Sequence, residues 1–240
     1  DQAKAECADL LQRHGVPATP VNLPAEVATS PQLAHRHAIE HEEIDGIDFD
    51  RLGPPWRLLP GEGTGRDAVP GGVASLRVAE VTHVLAGPIV GALLGAMGAT
   101  VVRLEERDRL DIYRRTGPFA GGEAGEERGA YFAVANHSKR SVVTDADTAQ
   151  HAAGALLGAA DVVIENVGTS RLRRLGVDPA ALADDGSLVL RVSGFGADGP
   201  LANYRVYASN VQAYGGLSWL TRDHAGELAK FGSVLADPLS

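Results

Sequence analysis

The chain has 240 residues, 44% of them hydrophobic, a formal net charge of −9 and a single cysteine. That length can bury a substantial core as one large domain or two small ones, and the acidic balance argues against a general nucleic-acid binder. No apolar run of about 18 residues suggests a membrane span, no signal peptide is recognisable, and Cys7 cannot form an internal disulfide, which suits a reducing cytoplasm.

The opening stretch "DQAKAECADLLQRHG" predicts a helix, with Ala3, Cys7, Leu10 and Leu11 near a helical period and Gly15 as its stop. Prolines 17, 20, 24 and 31 then cut the chain into short pieces, and alternating apolar positions from Ile39 to Phe49 around Asp45-Gly46 suggest a hairpin. Residues 58–74, "LLPGEGTGRDAVPGGVA", are rich in Gly and Pro and read as a linker. Beyond it the pattern changes. Leu76, Val78 and Val81 predict a strand, and Pro88 sits in the first turn of a helix that ends at Gly98. "TVVRLE", "RSVVTD" (140–145), "DVVIEN" (161–166) and "LVLRVSGFG" (188–196) read as further strands, with helices near 148–159 and 178–184. This alternation predicts an α/β fold, a Rossmann-like parallel sheet with helices on both faces and right-handed crossovers.

The chain starts on Asp1, its only methionine is Met97 inside a predicted helix, and "FGSVLADPLS" stops without a closing element. A fragment of a longer polypeptide is therefore expected.

A strand–turn–helix opening such as "VTHVLAGPIVGALLGAMGATVVRLE" commonly holds a nucleotide. A dinucleotide would need Gly-x-Gly-x-x-Gly at the turn, where this chain has Gly87 alone, with Gly91 and Gly95 inside the helix. Those two are expected to let the helix pack closely on the sheet. Glu105 imitates the acidic residue that grips a ribose hydroxyl, but one matching feature does not make an NAD site. Basic clusters stand beside strand ends instead: Lys139-Arg140 in "NHSKRSV", and Arg171, Arg173 and Arg174 just after Asn166 in "ENVGTSRLRRLG". In an acidic chain they suggest a phosphate-bearing ligand. No His/Cys/Asp cluster has metal-ligand spacing, so no metal is assigned. Ser193 has no histidine or acid partner implied by sequence, and Asp198 in "GADGP" is turn chemistry.

Six stretches occur in order with suitable spacing: "VLAGP", "GAMGATVVRLE", "NHSKRSV", "ADVVIENVGTSRLRRLG", "RVSGFGADGP" and "VQAYGGLSWLT". Over residues 76–222 the chain resembles the N-terminal half of a class III CoA-transferase (the CaiB/BaiF type, which includes formyl-CoA transferases), a fold shared with α-methylacyl-CoA racemases. The front of the chain, "GVPATPVNLPAEVATSPQLAHRHA" and "GPPWRLL", is similar to the closing stretch of the same family. The resemblance thus implies the junction of a two-repeat fusion: 1–57 from an upstream repeat, 58–74 as linker, and 75–240 opening a second repeat. An arrangement that joins two pieces of one large domain and omits the small domain is a further expectation.

What the resemblance implies about the ligand is coenzyme A. The backbone of Val84, Leu85 and Ala86 would lie along its nucleotide end. Lys139, with its neighbour Arg140, and Arg174 would meet phosphates, Asn166, Val167 and Gly168 would line the ligand, and Ser193, Gly194, Phe195 and Gly196 would approach the thioester. His83 and His137 lie near this expected cleft. The implied partners are an acyl-CoA and a carboxylic acid, without nucleic acid or membrane, in an interlocked homodimer or an intrachain pseudo-dimer. Catalysis in the family runs through an aspartate. Its carboxylate attacks the thioester to give a mixed anhydride and release CoA thiolate, which returns to form an enzyme-bound thioester that the acceptor acid resolves. Carried over without gaps, that position falls on Ala225, with Asp223 two residues earlier as the nearby candidate. The racemase aspartate falls on Ala208. The alternatives implied are a racemase-like isomerase and a structural half that supports a partner's site.

Overall fold

The computed structural model describes residues 2–63, 70–229 and 236–237. The chain forms two compact units, 1–58 with 193–240, and 59–192.

The first unit opens with α1 (Gln2–Arg13), which stops before Gly15 at φ +76°. Two short helices follow, α2 (Pro24–Ala28) and α3 (Pro31–His35). Each begins on proline, whose missing N–H costs nothing at a helix start, and Ser30 Oγ caps α3 by accepting from Leu33 N at 3.3 Å. Strands β1 (Ile39–Ile44) and β2 (Ile47–Leu52) pair antiparallel as the sequence suggests. Their turn places Asp45 and Gly46 at φ +53° and +77°, and an Asp-Gly pair tolerates two left-handed residues in a row.

The second unit is a five-stranded parallel sheet. In chain order it holds β3 (Arg77–Val81), α4 (Ala86–Ala96), β4 (Thr100–Glu106), α5 (Ala130–Asn136), β5 (Arg140–Thr144), α6 (Ala149–Gly158), β6 (Val162–Glu165), α7 (Thr169–Arg174), α8 (Pro179–Asp184) and β7 (Leu188–Arg191). The spatial order is β5-β4-β3-β6-β7. Construction begins at β3, runs outward to β5, then returns across β3 to β6. Period-two alternation divides the core. Ala79, Val81, Leu104 and Val163 pack with Ala149, Ala153 and Leu157 of α6 on one face. Val78, Val101, Val162 and Ile164 pack with Val90 and Leu94 of α4 on the other. Burial on both faces is why these strands read as near-continuous apolar runs. The two glycines of α4 serve packing as expected. A methyl group at Gly91 would overlap the Glu80 carboxylate, and one at Gly95 would press on the backbone of Ser138.

The first unit closes with α9 (Ala208–Tyr214) and α10 (Leu217–Leu220). Segments far apart in sequence meet there. Asn22 donates to Tyr214 O at 3.0 Å and Thr19 to Asn210 O at 2.9 Å. Gln32, 1% exposed, donates to Phe195 O at 2.6 Å and Asp198 O at 2.9 Å while accepting from Leu201 N at 2.8 Å. A near-isosteric Gln32→Leu would leave those three backbone groups without partners. We expect this variant to lose about 3 kcal/mol. Urea unfolding followed through Trp56 and Trp219, both in this unit, will report it. Among the described residues no helix is long and apolar enough to cross a membrane.

Candidate functional site

The sheet unit has a switch point between β3 and β6, where successive connections leave in opposite directions. Loops diverge there at the carboxyl ends of the strands and open a crevice. A cleft of ≈ 510 Å³ lies at this place, lined by His83, Arg109, Asn166, Val167, Ser170, Arg171 and Arg174. His83 follows β3, Arg109 follows β4, and the others follow β6 or belong to α7.

Its floor is fixed by side chain–backbone pairing. Asn166 Oδ1 accepts from His83 N at 2.7 Å and Asn166 Nδ2 donates to His83 O at 2.8 Å. This pair of hydrogen bonds ties the ends of the two strands together. Gly87 fits against it, since a methyl there would press on Asn166 and Thr82. Val84, at φ +66°, is a β-branched residue in the left-handed region, a conformation costing on the order of 1–3 kcal/mol. Its N–H donates to Asp111 Oδ2 at 2.9 Å, which holds the turn. Leu85 is buried and Ala86 begins α4.

The charge in the cleft is one-sided. Arg171 Nη2 lies 3.2 Å from Glu106 Oε1. Arg109 and Arg174 make no side-chain hydrogen bond or ion pair among the described residues. Burial lowers the Arg171 guanidinium below its ordinary value, and the positive charges of Arg109 and Arg174 lower it further against the pull of Glu106. Cations repelling one another around a concave surface favour an anion.

Burial, reinforced by the Arg171 charge, pulls His83 down from 6.5 to about 4, so its imidazole is neutral at pH 7. The unfolded chain then binds the extra proton between these values. Stability should fall as pH drops from 6.5 to 4, by roughly 3 kcal/mol at most, and level off below. His83→Gln should flatten that window in urea titrations taken at successive pH values. A separate loss belongs to Glu105. Burial alone would raise its carboxyl, but hydrogen bonds from Arg114 and the Arg103 charge hold it at about 2 against an ordinary 4.5. Its contribution is present above 4.5 and disappears as pH falls toward 2.

Beneath the cleft lies a buried network that sequence reading left out. Arg103, fully enclosed, donates to Asp111 Oδ2 at 2.6 Å and Thr82 O at 2.9 Å and also bonds Asn136. Glu105 receives Arg114 on both oxygens, at 3.2 and 2.7 Å, and the Arg114 guanidinium stacks 3.8 Å from the Phe132 ring. Glu105 is thereby engaged within the protein, where a ribose-binding acid would face the ligand. Lys139 Nζ pairs with Glu80 Oε1 at 2.7 Å and donates to Pro88 O at 2.6 Å. Burial lowers it to about 8, against the opposing pull of Glu80.

The residues singled out from sequence therefore separate. Asn166, Val167 and Arg174 share the cleft. Gly168, at φ +80°, stands at the start of α7 with its N–H on Glu165 Oε2 at 3.0 Å. Lys139 is committed to Glu80, and Arg140 is exposed at the start of edge strand β5. Ser193, Gly194, Phe195 and Gly196 belong to the first unit, around a second cavity of ≈ 210 Å³. Asp223 is exposed in the first unit, its Oδ1 accepting from Ala225 N at 2.8 Å and Glu227 N at 3.0 Å. Sequence reading placed Arg171 in a basic cluster suited to a phosphate but did not single out Arg109 and Ser170. The available signal was position alone: Arg109 follows β4 and Ser170 follows β6, both at the carboxyl edge of the sheet.

Residues 73–240 match the family described as CoA-transferase family III. The succinate–glutarate CoA-transferase of Agrobacterium fabrum is 35% identical over 171 residues, which cover 69% of this chain and 43% of that protein. The acetyl-CoA:oxalate CoA-transferase of Acetobacter aceti is 33% identical over 150 residues, 61% of this chain and 37% of the other. A solved CaiB/BaiF family protein from Brucella suis superposes with a TM-score of 0.61 at 34% identity, covering 69% of this chain and 45% of that one. The chain thus spans less than half the length of these relatives.

Proposed function

The chain belongs to CoA-transferase family III, and on that premise we propose that the whole protein moves CoA between an acyl-CoA thioester and a carboxylic acid through an aspartyl intermediate. Within it, the sheet unit holds the phosphorylated nucleotide end of CoA in the cleft after β3 and β6. One observation carries this reading: Arg109 and Arg174 face the same cleft without a carboxylate of their own, beside a partly neutralised Arg171. Pyrophosphate and ribose phosphate oxygens would supply the missing charge. Val84 to Ala86 would border the nucleotide, and Ser193 to Gly196 would serve the thioester end. Residues 1–57 would close an upstream repeat and 75–240 open the next, paired as an interlocked dimer or its intrachain equivalent. The exposed free thiol of Cys7 suits a reducing cytoplasm. Calorimetry tests the binding step. CoA should bind tightly, dephospho-CoA more weakly and a nicotinamide dinucleotide weakest, whereas equal heats from all three would overturn the reading.

One observation favours a division of labour in which this part binds and another part supplies the nucleophile. The family aspartate position holds Ala225, and the neighbouring Asp223 carboxylate caps its own turn. Incubating this chain with acyl-CoA and hydroxylamine should leave Asp223 unmodified in mass spectra. A hydroxamate on Asp223 would place the chemistry here after all.

A further inference from the structure

We propose that the cavity of the first unit is a binding site for a short organic carboxylate, with Arg36 as the group that pairs with it. The cavity, ≈ 210 Å³, is bounded by Leu33, Arg36, Ser193, Phe195, Gly196 and Tyr214 among others. Pockets for drug-sized ligands run to about 300–1,000 Å³, so this one fits an acid of a few carbons. Its walls are apolar, with the Phe195 and Tyr214 rings set edge to face at 4.7 Å. Its charge is single and uncompensated. Arg36 is only part-exposed and its side chain makes no hydrogen bond or ion pair among the described residues. The neighbouring basic side chains are engaged, since Arg57 Nη1 reaches both Asp198 oxygens at 3.1 Å and His35 Nε2 stands 3.3 Å from Asp198 Oδ1.

The surroundings keep this guanidinium in place. Gly196, at φ +99°, presents no Cβ, and one added there would overlap Arg36 Nη1. Ser193 Oγ accepts from Gly196 N at 3.0 Å, which leaves its hydroxyl proton to donate into the cavity. The three Gln32 bonds to residues 195–201 set the distance between the loop and α3. A guanidinium beside apolar walls suits a planar carboxylate with a short hydrocarbon tail, because the fork is matched bidentately and the tail leaves water. Inorganic phosphate, strongly hydrated and without a tail, matches only the charge. A role as the acceptor-acid site rests on the transferase reading, but the binding itself does not.

The test titrates the full chain with butyrate, butyramide and inorganic phosphate, following the ring protons of Phe195 and Tyr214 by NMR. Butyrate should bind in the millimolar range and at least tenfold more tightly than its uncharged amide. Arg36→Met should abolish that preference while leaving CoA affinity within twofold. Arg36→Lys, which keeps the charge but loses the fork, should fall between, and it carries the test should Arg36→Met fail to fold. Preference for butyrate that survives loss of the guanidinium, or phosphate bound as tightly at the same rings, overturns the proposal. Loss of CoA binding with butyrate binding intact would sink the transferase reading and leave this site standing.

Discussion

Arg103→Ala should destabilise the sheet unit by about 3–5 kcal/mol, the usual cost of removing one member of a buried charge pair. Arg103 is 1% exposed and Glu80, Glu105 and Asp111 around it are no more accessible. Its side chain is the direct partner of Asp111 and lies 3.9 and 3.7 Å from carboxylate oxygens of Glu80 and Glu105. Deleting it would leave the buried Asp111 carboxyl without its guanidinium partner. Asp111 in turn holds the strained Val84 turn, so the damage should reach the cleft. Far-UV circular dichroism during urea unfolding will measure the loss. A variant as stable as the parent at pH 7 would show that Arg114 and Lys139 neutralise these acids by themselves.

The second large effect concerns binding. Replacing Arg109 and Arg174 together with alanine should weaken CoA binding by about 100-fold or more. Each charge-assisted hydrogen bond to phosphate is worth on the order of 1.5–3 kcal/mol. Stability should change little, because neither side chain has a partner within the described protein. The comparison is sharpened by salt. Parent affinity should drop as ionic strength rises, and the variant should be less sensitive, since screening acts on charges it no longer has. CoA bound equally well by parent and double variant would remove the cleft from the nucleotide site. Arg171→Ala is the less informative change, because it also strips Glu106 of its cation.

The local elements were legible because each is governed by nearby residues. The α1 stop at Gly15, the Asp45-Gly46 hairpin turn and strands β3 to β7 follow from periodicity and turn chemistry, which act over a few positions. The strand predicted through Gly196 ends at Arg191 instead, and described residues after 193, such as Phe195, Leu201 and Tyr214, pack with the start of the chain. Glycine and serine at 193–196 weaken strand continuation, but only packing against Gln32 shows where they go. Short α5 and α7 also escaped sequence reading, since one or two turns carry too little period to register.

The candidate site divides along the same line. Asn166 and Arg174 were readable because they follow a strand at the sheet's carboxyl edge, and Val167 because the family resemblance implied it. Lys139 also stood beside a strand, before β5 rather than after it, yet it enters the interior to meet Glu80. Thus the sequence by itself determined most of the elements, the parallel character of the sheet and the family of the chain. Only tertiary structure decided which basic residues line the cleft and which neutralise buried acids, because that choice depends on where carboxylates from distant strands come to lie.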